Sequence, residues 1–221
     1  EGNSSWGYNP SMYFAVDKYY GTANDLKELI DSCHSRGIAV ILDIVLNHAF
    51  GTNPLVRMYW NNLTNQPASN NPWFNVTSPN PVYSWGYDFN HASPQTQAFA
   101  DSVCHYWISE FRADGFRFDF TKGMTNTPGD GWAYDASRIA ILNRIGNQIR
   151  TYKPDAILIL EHFADNNEEK ELAGIGFLLW GTAKFRYQAA SASRSDWNMS
   201  ISEASWKNRG WTVPGIVDYM E

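Results

Sequence analysis

Short runs of apolar residues alternate along the chain with amphipathic segments of helical period. The segment from Thr22 to Arg36 has apolar residues at helical spacing and is followed by the apolar run Ile38 to Val45. Apolar runs of this kind are typical of parallel strands that are buried on both faces and joined by helices. The pattern therefore predicts an α/β protein with a parallel sheet. The same order recurs at 95–120, 139–161 and 166–180, and a last apolar run covers 216–221.

One long segment interrupts this alternation. Residues 49–93 show no sustained period and are rich in Asn, Pro and aromatic residues. A structureless loop of that length is unusual inside a compact domain, so we expect an inserted subdomain over one end of the sheet. The remaining segments, 1–48 and 94–221, are expected to form the main body. Aromatic side chains of the insert should face a cleft, with Trp60, Trp73, Trp85 and Tyr87 as candidates.

The composition of the chain indicates which kinds of molecule it binds. The chain has 221 residues, 18% of them charged, and a net charge of −6 without a cluster of Lys or Arg. This balance argues against nucleic acids and anionic membranes, which favour a basic face. No run approaches the roughly 18 apolar residues of a membrane-spanning helix. The aromatic share of 15% suits a cleft in which rings stack on sugars, although core packing is the alternative for any single ring.

The two cysteines, Cys33 and Cys104, lie on the apolar stripes of predicted helices. Buried cysteines commonly behave as small apolar residues, so we expect two free thiols and no disulfide.

Polar residues with catalytic chemistry close three successive predicted strands. Asp43 belongs to the first strand, Arg117 and Asp119 to the second, and Glu161 to the third. The carboxyl ends of parallel strands meet at one edge of a sheet, and sites are built there. A helix cap or a solvated strand end is the alternative for any one of these residues. Three such strand ends together favour a site.

The two carboxylates differ in their surroundings. Arg117 lies two residues before Asp119 and so on the same face of the strand, where its charge would hold Asp119 ionised. Glu161 follows the apolar run Ala156 to Leu160, a setting that favours a protonated carboxyl. An ionised Asp beside a protonated Glu is the pair that a retaining glycosidase requires.

Three segments resemble ordered motifs of the α-amylase family of glycoside hydrolases. They are Asp43-Ile-Val-Leu-Asn47-His48, Gly115-Phe-Arg117-Phe-Asp119-Phe-Thr-Lys122 and Glu161. Trp6-Gly7-Tyr8 and the segment from Tyr20 to Leu26 extend the resemblance, which covers essentially the whole chain. It implies a (β/α)8 TIM barrel that is incomplete here, with about strands 2 to 7 present and the insert following the third strand.

The resemblance also implies the catalytic roles. Asp119 would be the nucleophile that forms a glycosyl-enzyme intermediate, and Glu161 would be the general acid and then the base. Arg117 would orient Asp119. The activity implied is hydrolysis of α-glucosidic bonds in starch- or glycogen-type α-glucans, and the same residues serve transglycosylases and branching enzymes.

Substrate and metal contacts follow from the same resemblance. Tyr8, His48 and Lys122 match substrate-binding positions. Asn47 matches a position that in many members supplies oxygen to a Ca²⁺ ion. Gly123 stands where many α-amylases have a His, which weakens the case for calcium and for endo-hydrolysis of starch.

Other functions and partners stay open at this point. A catalytically silent, sugar-binding domain is one alternative, although the presence of both Asp119 and Glu161 argues against it. A metal-dependent barrel hydrolase would need paired His ligands, which the five His residues do not provide. The family's third carboxylate is expected just after Glu221. We therefore expect the 221-residue chain to be inactive alone and to pair with missing barrel segments of its parent or with itself.

Overall fold

The structure is a computed structural model that describes residues 6–181, 210–212 and 215–218. Helices and strands alternate along the described residues in the predicted α/β order. The helices are α1 (Ala23–His34), α2 (Pro54–Met58), α3 (Pro94–Phe111), α4 (Ala136–Tyr152) and α5 (Asn166–Gly174), with a 3-10 turn at Thr121–Gly123. The strands are β1 (Ile41–Ile44), β2 (His48–Ala49), β3 (Trp60–Asn61), β4 (Gln66–Pro67), β5 (Tyr87–Asp88), β6 (Gly115–Phe118), β7 (Ile157–Leu160), β8 (Leu178–Gly181) and β9 (Ile216–Asp218).

The main sheet of the described residues has five parallel strands in the order β1-β6-β7-β8-β9. Helix α3 lies between β1 and β6 in the chain, α4 between β6 and β7, and α5 between β7 and β8. Parallel neighbours require such crossovers. In the register of the sheet, Asp43 lies opposite Arg117, and Arg117 lies opposite Ile159. The predicted parallel sheet is confirmed, it agrees with an incomplete (β/α)8 barrel, and the carboxyl ends of its strands share one edge.

Local sequence signals fix where the main helices begin. The Thr22 side chain accepts the Asp25 N–H, and the Asp25 carboxylate accepts the Thr22 N–H, which forms a capping box at the start of α1. Ser93 caps α3, and Pro94 follows it in the first turn, where its missing N–H has no cost. These signals explain why the observed helices begin close to the predicted positions.

The segment between β1 and α3 contains two small antiparallel ladders. Strand β2 pairs with β5, and β3 pairs with β4. Phe74 stacks on Phe89 with ring centroids 4.4 Å apart, and both rings belong to the same apolar core as Phe116 and Leu158. The inserted segment is thus anchored to the core of the main body. The predicted subdomain boundaries at 49 and 93 stay a prediction.

The two ends of the chain and its cysteines bear on the predicted fold. About strands 2 to 7 were expected, but described residues 6–22 contain only turns and bends, so no strand precedes β1 in the described part of the chain. The expected strand from Ile216 lies within the described residues only as far as Asp218. Cys33 and Cys104 are free thiols, as predicted. None of the described helices is long and apolar enough to cross a membrane.

Candidate active site

The sheet places four charged residues at its carboxyl edge. Asp43 lies within β1 and Arg117 within β6, whereas Asp119 and Glu161 directly follow β6 and β7. The Asp119 N–H donates to the Ile44 carbonyl (2.9 Å), and the Glu161 N–H donates to the Phe118 carbonyl (3.0 Å). These bonds continue the parallel ladder beyond the strands, so the backbone of both acidic residues is as fixed as that of the sheet.

One guanidinium joins the carboxylates of this edge. Arg117 Nη1 donates to Asp43 Oδ1 (2.8 Å) and to Asp119 Oδ1 (3.0 Å), and Nη2 lies 3.0 Å from Glu161 Oε2. The Arg117 side chain is only 11% exposed, and its guanidinium carbon lies 4.2 Å from the centre of the Trp180 ring. A guanidinium group is planar, permanently charged and has several N–H donors, so it can bridge three carboxylates in a way that an ammonium group could not.

The protonation of Asp119 differs from the expectation that Arg117 holds it ionised. Burial and the charge of Glu161 raise the pKa of Asp119 to about 7, and the nearby Arg117 opposes this rise without cancelling it. The reason is that burial of Asp119 and the negative charges of Glu161 and Asp43 together outweigh the positive charge of Arg117. Asp119 therefore loses its proton at a higher pH than an ordinary aspartate.

The turn after β6 holds the Glu161 carboxyl. Phe120 has a left-handed backbone (φ 43°, ψ 51°), and its N–H donates to Glu161 Oε2 at 2.9 Å. Arg117 contacts the same oxygen, so a proton on Glu161 belongs on Oε1. Sequence reasoning missed this role of the Phe120 amide. The non-glycine left-handed residue beside a candidate catalytic group becomes evident only in the structure.

A cavity of about 310 Å³ opens between these carboxylates and the inserted segment. It is lined by Tyr8, Asn9, His48, Phe50, Trp85, Asp119, Phe120 and Glu161. Of the aromatic candidates in the insert, Trp85 faces this cavity, whereas Trp60, Trp73 and Tyr87 pack against the core. Asn9 and Phe50 were not predicted as site residues. The signal that could have identified them is their position in the sequence, because Asn9 directly follows Tyr8 and Phe50 lies two residues after His48.

Tyr8 and His48 both line the cavity, and their proposed roles in sugar binding stay predictions. The Tyr8 hydroxyl donates to Asp43 Oδ2 (2.9 Å), and burial together with the Asp43 charge raises the pKa of Tyr8 to about 12. Asn47 Nδ2 lies 3.3 Å from His48 Nδ1, and His48 Nε2 lies 3.1 Å from the Tyr8 carbonyl. Amide donation to Nδ1 assigns the ring proton to Nε2. Burial lowers the pKa of His48, which favours this neutral form.

Lys122 and Asn47 lie beside the cavity and do not line it. The Lys122 ammonium lies 3.6 Å from the centre of the Trp132 ring and 4.6 Å from that of Tyr83. Asn47 Oδ1 is buried with no hydrogen-bond partner among the described residues, and a Cβ at Gly123 would clash with it. The local packing thus explains why position 123 has no side chain. The proposed roles of Lys122 and Asn47 in binding stay predictions.

Comparison with known proteins shows which family the chain is related to. Residues 2–86 match the family described as alpha amylase, catalytic domain. A 1,4-alpha-glucan branching enzyme of Oceanobacillus iheyensis is 30% identical over 73% of this chain and 26% of its own length. The 1,4-alpha-glucan-branching enzyme of Equus caballus is 28% identical over 97% of this chain and 31% of its own length. The chain thus spans about a quarter to a third of these curated relatives.

A solved structure supports the fold. The noncanonic maltogenic alpha-amylase AmyB of Thermotoga neapolitana superposes with a TM-score of 0.66 at 21% identity, over 99% of this chain and 46% of its own. At this identity the likeness concerns the fold alone. The matched family and the related sequences identify the chain as a member of the alpha-amylase family that carries part of the family's catalytic domain.

Proposed function

We propose that this chain carries the catalytic centre of a retaining glycosidase that acts on α-glucosidic bonds of starch- or glycogen-type α-glucans. The observation that carries the proposal is the placement of Asp119 and Glu161 on one guanidinium, that of Arg117, at the wall of a cavity. Two carboxylates with separate roles are what double displacement at a sugar carbon requires.

The reaction proceeds in two balanced steps. In the first, the Asp119 carboxylate attacks the anomeric carbon, the glycosidic C–O bond breaks, and the proton of Glu161 passes to the departing oxygen. In the second, Glu161 takes a proton from water as the water oxygen attacks the same carbon, and the bond to Asp119 breaks. Two inversions give net retention of the α configuration.

The remaining cavity residues would bind the sugar. The Tyr8 ring borders the cavity and offers an apolar face on which a pyranose can stack, and Trp85 offers a second ring. His48 carries its proton on Nε2 in the assigned tautomer, so a sugar hydroxyl could accept this hydrogen bond in place of the Tyr8 carbonyl. Lys122 would reach a sugar only after leaving its aromatic contacts.

Substitution of the two carboxylates in the full-length protein tests the proposal. Asp119→Asn and Glu161→Gln should each lower turnover of a malto-oligosaccharide by about three orders of magnitude or more with the fold intact. Asp101→Asn, which removes a carboxylate paired with Arg144 on the helical layer, is the matched control and should keep full activity. More than about a tenth of wild-type activity in either active-site variant contradicts the assignment.

A second candidate is glucan transfer, which the names of the curated relatives favour. A sugar hydroxyl and water compete for the same glycosyl-enzyme intermediate, and acceptor contacts decide between them. Incubation with linear amylose separates the two: branching forms α-1,6 linkages without new reducing ends, whereas hydrolysis releases reducing ends.

We also propose Asn47 as a Ca²⁺ ligand. Its Oδ1 is a buried amide oxygen without a hydrogen-bond partner in the described part, the kind of oxygen that calcium binds. Among the described residues no three His, Cys, Asp or Glu side chains gather as metal ligands, so further ligands would be amide or carbonyl oxygens. The ion would cross-link the β1 end to its surroundings. Chelation by EGTA should lower the melting temperature, with recovery on added Ca²⁺; an unchanged melting temperature contradicts the proposal.

A further inference from the structure

A second layer of buried charged residues lies behind Glu161. Arg138, Glu168 and His162 are at most 1% exposed. Arg138 donates from Nε (2.6 Å) and Nη2 (2.7 Å) to the two carboxylate oxygens of Glu168, and His162 Nε2 lies 2.9 Å from Glu168 Oε1. Desolvation makes buried ion pairs a poor source of stability, so charged residues buried at this depth call for another role.

This buried layer contacts the turn that follows the candidate nucleophile. His162 Nδ1 lies 2.9 Å from Thr121 Oγ1, and that hydroxyl also lies 2.9 Å from the Glu161 carbonyl oxygen. The Thr121 N–H donates to the same carbonyl at 2.8 Å. Arg138 Nη1 donates to the Lys122 carbonyl at 2.8 Å. The layer thus holds the two residues that directly follow Phe120.

Phe120 needs this support. A left-handed backbone is unfavourable for a residue with a Cβ, and it persists where the surroundings hold it in place. In this turn the Phe120 N–H donates to Glu161 Oε2 at 2.9 Å. The turn therefore contacts Glu161 at two points. Phe120 binds its side-chain carboxyl, and Thr121 binds its backbone carbonyl.

The chemistry of the imidazole explains why a hydroxyl is needed at Thr121. Burial lowers the pKa of His162, which favours a neutral ring. Its Nε2–H faces the Glu168 carboxylate, which leaves Nδ1 as an acceptor. The single Thr121 hydroxyl proton is then placed between two acceptors, Nδ1 and the Glu161 carbonyl oxygen.

We propose that Thr121 is a positioning residue for Glu161, through which the buried His162–Glu168–Arg138 network fixes the acid's carboxyl beside Asp119. Thr121 is fully buried and does not line the cavity, so it acts through Glu161 and not on substrate. This inference rests on the proposed glycosidase function.

Leaving-group dependence tests the proposal. The full-length protein is assayed as wild type, Thr121→Val and Thr121→Ser on a malto-oligosaccharide and on α-maltosyl fluoride, because fluoride departs without help from an acid. Thr121→Val should lower kcat/KM about 10- to 100-fold on the oligosaccharide and less than about threefold on the fluoride. Thr121→Ser should restore both values. Thr96→Val, which removes another buried Thr hydroxyl far along the chain, should match wild type on both substrates.

The comparison of the two substrates separates the positioning role of Thr121 from the proposed function. Equal losses on both substrates, or no loss on the oligosaccharide, overturn the positioning role of Thr121. A wild-type protein inactive on both substrates contradicts the proposed function instead. If Thr121→Val does not fold, His162→Gln replaces it, because a Gln amide can keep the Nε2 contact with Glu168 while losing the Nδ1 contact with Thr121. The same selective loss is expected for His162→Gln, and an unchanged ratio between the two substrates overturns the proposal.

Discussion

Replacing Arg117 by Gln should move the acidic limb of the pH–rate profile to higher pH. Burial and the Glu161 charge raise the pKa of Asp119 to about 7, and Arg117 is the group that lowers it. The nucleophile must be ionised to attack, so kcat/KM falls as the pH drops through this pKa. Removing the cation raises the pKa of Asp119 further, and the acidic limb should move up by at least about one pH unit.

The expected loss of activity follows from the contacts that disappear. Arg117 donates two charge-assisted hydrogen bonds, to Asp43 and Asp119, and pairs with Glu161. Hydrogen bonds to charged groups contribute about 1.5–3 kcal/mol each, so losing two of them in the transition state lowers kcat/KM by about 100-fold or more near neutral pH. Arg117→Lys should be intermediate, since an ammonium keeps the charge without spanning three carboxylates.

The measurement is kcat/KM for a malto-oligosaccharide across the pH range in the full-length protein. Arg144→Gln is the matched control because Arg144 pairs with Asp101 away from the cavity, and its profile should coincide with that of the wild type. An acidic limb at the wild-type pH in Arg117→Gln would show that Arg117 does not set the protonation of Asp119.

Two further predictions concern stability and sugar binding. Burial raises the pKa of Asp88 to about 7 although Asn75 donates to it, so between about pH 4 and 7 the folded state holds a proton that the unfolded state releases. The free energy of unfolding should therefore fall as the pH rises through this window. Asp88→Asn should be more stable than wild type at pH 8 by up to about 4 kcal/mol, but not at pH 4. The same difference in melting temperature between variant and wild type at both pH values would refute this. Trp85→Leu should raise KM about 5- to 20-fold with little change in kcat, because Trp85 lines the cavity. Trp60→Leu is the control and should leave KM unchanged, because the Trp60 ring contacts Tyr87 on the core side. An unchanged KM in Trp85→Leu would exclude stacking of a sugar on Trp85.

The sheet and its polar edge were predictable because they depend on local pattern. Apolar runs separated by helical periods determine parallel strands, and the strand ends then bring Asp43, Asp119 and Glu161 together. The two-residue period of a strand also predicted that Arg117 and Asp119 share a face, and the structure shows their contact at 3.0 Å.

The electrostatics of the site could not be predicted from neighbours in the sequence. Glu161 lies more than 40 residues beyond Arg117, so the sequence does not reveal that it competes with Asp119 for one guanidinium. The left-handed turn at Phe120 is equally hidden, because the contacts that support it come from His162 and Arg138 on other elements. Contacts between residues that are distant in the sequence determine the protonation of Asp119 and the backbone strain at Phe120. No pattern of neighbouring residues in the sequence reveals such contacts.

The proposed mechanism requires that Asp119 becomes covalently bonded to the sugar. Incubation of the full-length Glu161→Gln variant with an α-maltosyl fluoride should form the intermediate and slow its hydrolysis, because the leaving group needs no acid while water lacks its base. Peptide mass spectrometry should then find one maltosyl group on the peptide that contains Asp119, and none when Asp119→Asn is added. A maltosyl group on any other residue, or turnover of the fluoride without a labelled peptide, would contradict the account.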